Sequence, residues 1–141
     1  MMRDKGKGAL FIPYRRTEGG HEYYLQKRDM RAKANPEVFS LFGGGFEKGE
    51  DMQTALAREV KEELTYTPNH PIYFTRLETP LKVFDIFIEE VDKDFESLVD
   101  VKEGHYGKFL KFLEIKNSSQ ASLLAQYVIE HLERKLANTY G

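Results

Sequence analysis

The chain contains no cysteine. That excludes disulfides, thiol catalysis and zinc–thiolate sites, and it is compatible with a reducing cytoplasm, the expected location. Long hydrophobic runs are also missing. The first apolar stretch, Ala9 to Ile12, is too short for a signal peptide, and nothing in the sequence is long enough to span a bilayer, so no membrane role is expected. A surplus of one charge is lacking too. The net charge of −2 offers no general attraction to a polyanion, and binding to DNA or RNA duplexes is not expected. Repeats, low-complexity tracts and an interdomain linker are absent. The four histidines, His21, His70, His105 and His131, are scattered without the spacing of metal ligands. With 141 residues, 40% of them hydrophobic, the chain is expected to form one domain, 1–141, around its own core.

What the sequence does have is acid concentrated in one place. Residues 44–66 read GGFEKGEDMQTALAREVKEELTY. Asp51 is a sensible N-cap, and Met52, Leu56, Val60 and Leu64 recur every four residues as an apolar stripe, which predicts a helix ending near Leu64. At about 100° per residue, Glu59, Glu62 and Glu63 share an arc of about 100°, with Glu59 and Glu63 at the edge of the stripe. Like charges at these spacings repel, and carboxylates beside a buried stripe are partly desolvated. A hard divalent cation turns that repulsion into attraction, because Mg²⁺ and Mn²⁺ take oxygen ligands. An acidic surface helix with Arg58 and Lys61 as local partners is the plainer reading.

Gly43, Gly44 and Gly45 precede this helix directly after the apolar run Val38 to Phe42, and Gly49 follows. Glycine permits positive φ and close approach of backbone to a ligand. The order strand, glycine turn, acidic helix fits a phosphate and metal site, although a glycine run alone more often marks a tight turn. No Gly-Lys-Ser/Thr ends it, so it is not a Walker A loop.

The remaining pattern is mixed. Ala9–Tyr14 and Glu22–Lys27 read as strands joined through Gly19-Gly20, and Arg28 to Pro36 as a basic loop. Phe39 to Phe42 reads as one short strand. Ile72–Leu77 and Val83–Ile88 are strand candidates joined through Thr79-Pro80. Glu89 to Gly107 reads as acidic and irregular, with a helical turn around Phe95 to Val99, and Phe109–Leu113 as a last strand. A final helix, capped by Ser118 or Ser119, is predicted from Gln120 to about Ala137, with Ala121, Leu124, Ala125, Val128, Leu132 and Leu136 as its apolar stripe. This order fits a sheet flanked by helices.

Residues Gly44, Glu50, Arg58, Glu59, Val60, Glu62 and Glu63 match, position by position, a known motif: Gly, five residues, Glu, seven residues, Arg-Glu-apolar, one residue, Glu-Glu. The segment resembles the box of the Nudix hydrolase family. One departure is Thr65, where the family usually has glycine, followed by Tyr66 in place of an aliphatic residue. A β-branched residue resists positive φ, so the helix end is expected to be built differently, with Pro68 enforcing the stop.

The resemblance implies an α/β fold: a Nudix-type α/β/α sandwich with a mixed β-sheet flanked by helices. It implies a divalent-metal-dependent pyrophosphohydrolase that cleaves a nucleoside diphosphate linked to another group, with Mg²⁺ or Mn²⁺ as cofactor. The ligands implied are Glu59, Glu62, Glu63 and the Gly44 carbonyl. Glu50 and Arg58 are implied to form an ion pair tying the glycine loop to the helix, and Glu47 either joins the metal cluster or faces solvent. Glu103, in a late loop, resembles the family's general base, with Asp100 as a competitor and a plain surface charge as the alternative. Arg28 is the favoured phosphate contact among Arg28, Arg31 and Lys33. Tyr14, Phe39 and Phe46 lie near enough in sequence to stack on a base, but each suits the core better. Pro80 lies near the spacing of a downstream family marker, and a turn explains it as well. The default substrate is a nucleoside triphosphate or oxidised nucleotide. A nucleotide-binding or regulatory module without hydrolysis is the alternative, and the retained glutamates argue against it. A protein-interaction domain would leave the acidic cluster unexplained. Dimers are common in the family, so a homodimer is open.

Overall fold

The computed structural model describes residues 5–28, 38–102 and 105–140. Strand β1 (Gly6–Thr17) is its axis, and alternation along it sorts the core into two layers. Leu10, Ile12 and Tyr14 point to one side of the sheet, Ala9 and Phe11 to the other. Strands β2 (Gly20–Arg28), β3 (Phe39–Ser40), β4 (Phe42–Gly45), β5 (Ile72–Glu78), β6 (Lys82–Glu90) and β7 (His105–Lys111) complete the sheet. The path runs β3-β2-β1-β6-β5, with β4 added to β1 and β7 to β2. The β1–β6 pair is parallel and the other pairs are antiparallel, so the sheet is mixed.

Within the sheet, three features differ from the sequence reading. Residues 39–42 are two strands rather than one, because the chain changes neighbour at Leu41: β3 pairs with β2, β4 with β1. Pro13 lies inside β1, at the point where that strand's partner changes from β4 (through Phe11) to β2 (from Tyr14). A residue without an N–H is tolerated where one ladder stops and another begins. The last strand begins earlier and ends earlier than expected. At Phe112 the chain enters the short helix α3 (Phe112–Lys116), where the Lys111 N–H donates to Glu114 Oε1 at 2.9 Å.

The box helix α1 (Met52–Leu64) packs Ala55, Leu56, Val60 and Leu64 on the layer of Ala9, Phe11, Phe42 and Phe87. The single turn α2 (Phe95–Leu98) adds Phe95 to that layer. The terminal helix α4 (Leu123–Tyr140) covers the opposite layer with Ala125, Val128, Ile129, Leu132 and Leu136. It starts later than expected. Ser122, not Ser118 or Ser119, caps it through its Oγ, which accepts from Ala125 N–H at 3.0 Å. The residues before it are tied to β3 instead: Phe39 N–H donates to Gln120 O at 2.6 Å and Ser122 N–H to Phe39 O at 2.8 Å, bridging Ala121 to Phe39. Pro80 sits in the β5–β6 turn, closed by Thr79 N–H to Lys82 O at 2.8 Å. Among the described residues no helix is long and apolar enough to cross a membrane.

Candidate functional site

The site is built where the glycine turn meets α1. Asp51 caps the helix, accepting from Thr54 N–H at 2.8 Å. β4 pairs with β1 through Leu10↔Gly43 and Ala9↔Gly44. A Cβ on Gly43 would lie 2.1 Å from Ala9 O, and Gly43 has φ 130°. A Cβ on Gly44 would lie 2.7 Å from Glu59 Oε1. Gly43 therefore brings β4 against β1, and Gly44 leaves room for the Glu59 carboxylate on its backbone.

Arg58 organises the acids. Its Nε donates to Glu50 Oε2 at 2.8 Å and its Nη2 to Glu50 Oε1 at 2.9 Å, a bidentate pair, while Nη2 also reaches Gly45 O at 2.8 Å. Nη1 lies 3.1 Å from Glu59 Oε1, 3.3 Å from Glu62 Oε2 and 3.6 Å from Glu47 Oε1. The Arg58 hydrogen bond, then the Glu47 N–H donating at 2.6 Å, hold the Glu50 carboxyl below its usual range. Glu50, chiefly, and then Glu59 push the Arg58 guanidinium up, so it stays charged. Glu63 faces the other way: its Oε2 accepts from Gly43 N–H at 3.0 Å.

Burial follows the helix geometry. The Glu59 side chain is 13% exposed and Glu62 is 57% exposed, and Glu63, like Glu59, is half-buried. Among the described residues no three acidic or imidazole side chains already stand at metal-ligand spacing. The donor chemistry nevertheless fits a hard divalent ion, because all donors are oxygens, and the cluster already surrounds a cationic nitrogen, Arg58 Nη1.

The other positions singled out from the sequence divide. Glu47 is 67% exposed; its carboxylate approaches Arg58 Nη1 and its N–H donates to Glu50. Asp100 is exposed and approaches α1 by its backbone, its N–H donating to Leu64 O at 2.9 Å. Tyr14 and Phe39 belong to the α4-side core and Phe46 packs against the α1-side core. Arg28 ends β2, opposite His105, and its side chain lies outside the described residues, as do Arg31, Lys33 and Glu103. Thr65 corrects an expectation: it adopts the left-handed conformation itself, φ 52° and ψ 39°, so the helix ends as a glycine would end it. The sequence reading missed the Gly45 carbonyl as an Arg58 acceptor, the Gly43 N–H as a Glu63 donor, and the buried carboxylate Glu89, which accepts from Tyr66 Oη at 2.5 Å and His70 N–H at 2.7 Å. Only the third glycine of the run hinted at the first of these.

The NUDIX domain model matches residues 5–114. The chain belongs to the NUDIX domain family. Solved structures carry the same fold along nearly the whole chain. A MutT structure, from work on the Aliivibrio salmonicida and Vibrio cholerae proteins, superposes with a TM-score of 0.73 at 18% identity, covering 94% of this chain and 99% of that one. The NUDIX domain of Shewanella oneidensis NrtR, complexed with ADP ribose, gives 0.72 at 10% identity, covering 94% and 90%. A C. elegans Ap4A hydrolase binary complex gives 0.70 at 20% identity, covering 94% and 98%. No curated protein matches.

Proposed function

We propose that this NUDIX domain is a divalent-metal-dependent pyrophosphohydrolase acting on a nucleoside diphosphate linked to another group. The observation that carries the reading is the complete set Glu59, Glu62 and Glu63 on one helix, with the Glu59 carboxylate laid on the Gly44 backbone and Glu63 on the Gly43 N–H. Glu59, Glu62, Glu63 and the Gly44 carbonyl would hold Mg²⁺ or Mn²⁺. Such an ion, when bound, screens polyphosphate charge, polarises a phosphoryl oxygen and makes water a better nucleophile.

The chain's own residues orient this set. Arg58 fixes Glu59 from one side while locked to Glu50 and Gly45. Gly43 fixes Glu63 from the other. Glu103 is assigned the general base, which takes the proton of the attacking water, and Arg28 a phosphate contact. Similar folds have been solved with ADP ribose and as an Ap4A hydrolase, so nucleotides of both kinds belong in a substrate screen. A nucleoside triphosphate is the first candidate.

The deciding experiment is a panel of nucleoside triphosphates, dinucleoside polyphosphates and ADP ribose incubated with Mg²⁺ or Mn²⁺, with products resolved by chromatography. Metal-dependent release of a nucleoside monophosphate is the expected result. Tight nucleotide binding with no product would establish the binding-module reading instead.

A further inference from the structure

Thr65 and Tyr66, the two departures from the usual wording of the box, both touch the segment 95–102. The Tyr66 ring packs edge-on against Phe95 at 5.1 Å. Thr65 Oγ1 donates to Asp100 O at 3.4 Å. Beyond α2 the chain is extended from Val99, at φ −111° and ψ 152°. Val99 and Val101 turn inward onto the α1-side core. The alternate residues turn their N–H groups to the helix end: Asp100 donates to Leu64 O and Lys102 to Glu63 O, each at 2.9 Å. Those carbonyls belong to the last turn of α1, where no intrahelical donor remains for them.

The left-handed turn at Thr65 is what leaves them exposed to this strap. Thr65 is the only described non-glycine residue with positive φ. Its own N–H closes on Lys61 O at 2.9 Å. A glycine would make the same turn with less strain, so conformation alone does not account for threonine here. The hydroxyl that glycine lacks is the group that reaches the strap.

Glu63 joins the two sides. Its carbonyl receives the strap through Lys102, and its carboxylate receives the glycine turn through Gly43. We infer that Thr65 is a positioning residue: its hydroxyl steadies the 99–102 strap on the helix end, and the strap holds the last turn of α1 so that the Glu63 carboxylate stays on Gly43. The inference rests on the reading of Glu63 as a metal ligand.

Thr65→Gly and Thr65→Ser separate this from a structural role. The glycine variant keeps the left-handed turn and relieves its strain, so its Tm should equal or exceed that of the unaltered protein. Its amide hydrogens at Asp100, Lys102 and Gly43, followed by NMR, should nevertheless exchange about tenfold faster through local opening. Its Mn²⁺ affinity, measured by EPR, should fall about threefold to tenfold, at or below the lower end of the range for lost outer-shell partners because the hydroxyl contact is long. The serine variant should restore both. Unchanged exchange at Gly43 in the glycine variant, unchanged Mn²⁺ affinity, or failure of serine to rescue would overturn the inference. If the unaltered protein does not bind Mn²⁺ at all, the metal assignment fails on its own, and the Gly43 amide still decides the role of Thr65.

Discussion

Arg58 touches Glu47, Glu50, Glu59, Glu62 and the Gly45 carbonyl, so its removal acts on several groups at once. Arg58→Ala should lower both Tm and turnover, and the double variant with Glu50→Ala should lose less than the two single losses added together, as a thermal double-mutant cycle would read. Strict additivity would mean the pair does not interact. The pH dependence has a definite sign. The Glu50 carboxyl is held below its usual range, so the stability it contributes is full above its unfolded pKa and disappears as pH falls through the lower folded value. The Tm gap between the unaltered protein and Arg58→Ala should therefore be constant near neutrality and close on acidification. Glu62→Gln and Glu63→Gln address the metal instead. Each should cut turnover by at least about 10²-fold and weaken divalent binding, while the apo protein stays folded because glutamine keeps a side-chain oxygen for Arg58 Nη1 or for the Gly43 N–H. Near-normal hydrolysis by either would sink the ligand assignment.

Neighbouring glycines in β4 do different things to the turn–helix unit. Gly43→Ala forces a Cβ against the backbone of β1 and should cost at least about 1–3 kcal/mol of stability in denaturant unfolding. A Cβ at Gly44 meets first the end of the Glu59 side chain, which gives way by leaving Arg58 Nη1. Gly44→Ala should leave Tm within a few degrees yet lower divalent affinity about tenfold by calorimetry. Equal effects of the two changes on stability would refute this division. The helix itself was legible in the sequence. Asp51 as N-cap, the four-residue apolar spacing and the edge position of Glu59 all appear in the structure because they are local signals. Non-local choices were not legible. Ser118, Ser119 and Ser122 are equivalent caps until Phe39 bonds to residues 120–122 and delays α4. The break at Leu41 depends on which strand lies beside it. Thr65 reads as a poor left-handed residue until the strap from residues 99–102 is added.

At the scale of the molecule, the sheet separates a layer that carries the acidic helix α1 from one packed by α4. α4 lies on the second, so damage there should leave the chemistry intact. Ile129 is fully buried in that layer. Ile129→Ala should cost about 2–5 kcal/mol in denaturant unfolding, with kcat unchanged at temperatures where the variant remains folded. A fall in kcat at full folding would show that the two layers are coupled through the sheet. The parallel pairing of β1 with β6 also dictates an order of events. β1 is the backbone template for β4 and the glycine turn, but its parallel partner β6 comes only after α1 and β5 have been made, and the strap on the helix end comes later still. Closing so distant a pair is slow relative to forming a helix. During synthesis the acidic helix, with Arg58 and the glycine turn that orient its carboxylates, thus emerges before the strap that holds its last turn. A nascent chain halted before β6 would hold every box glutamate and the groups that orient them, yet lack both the strand beside β1 and the strap on the helix end.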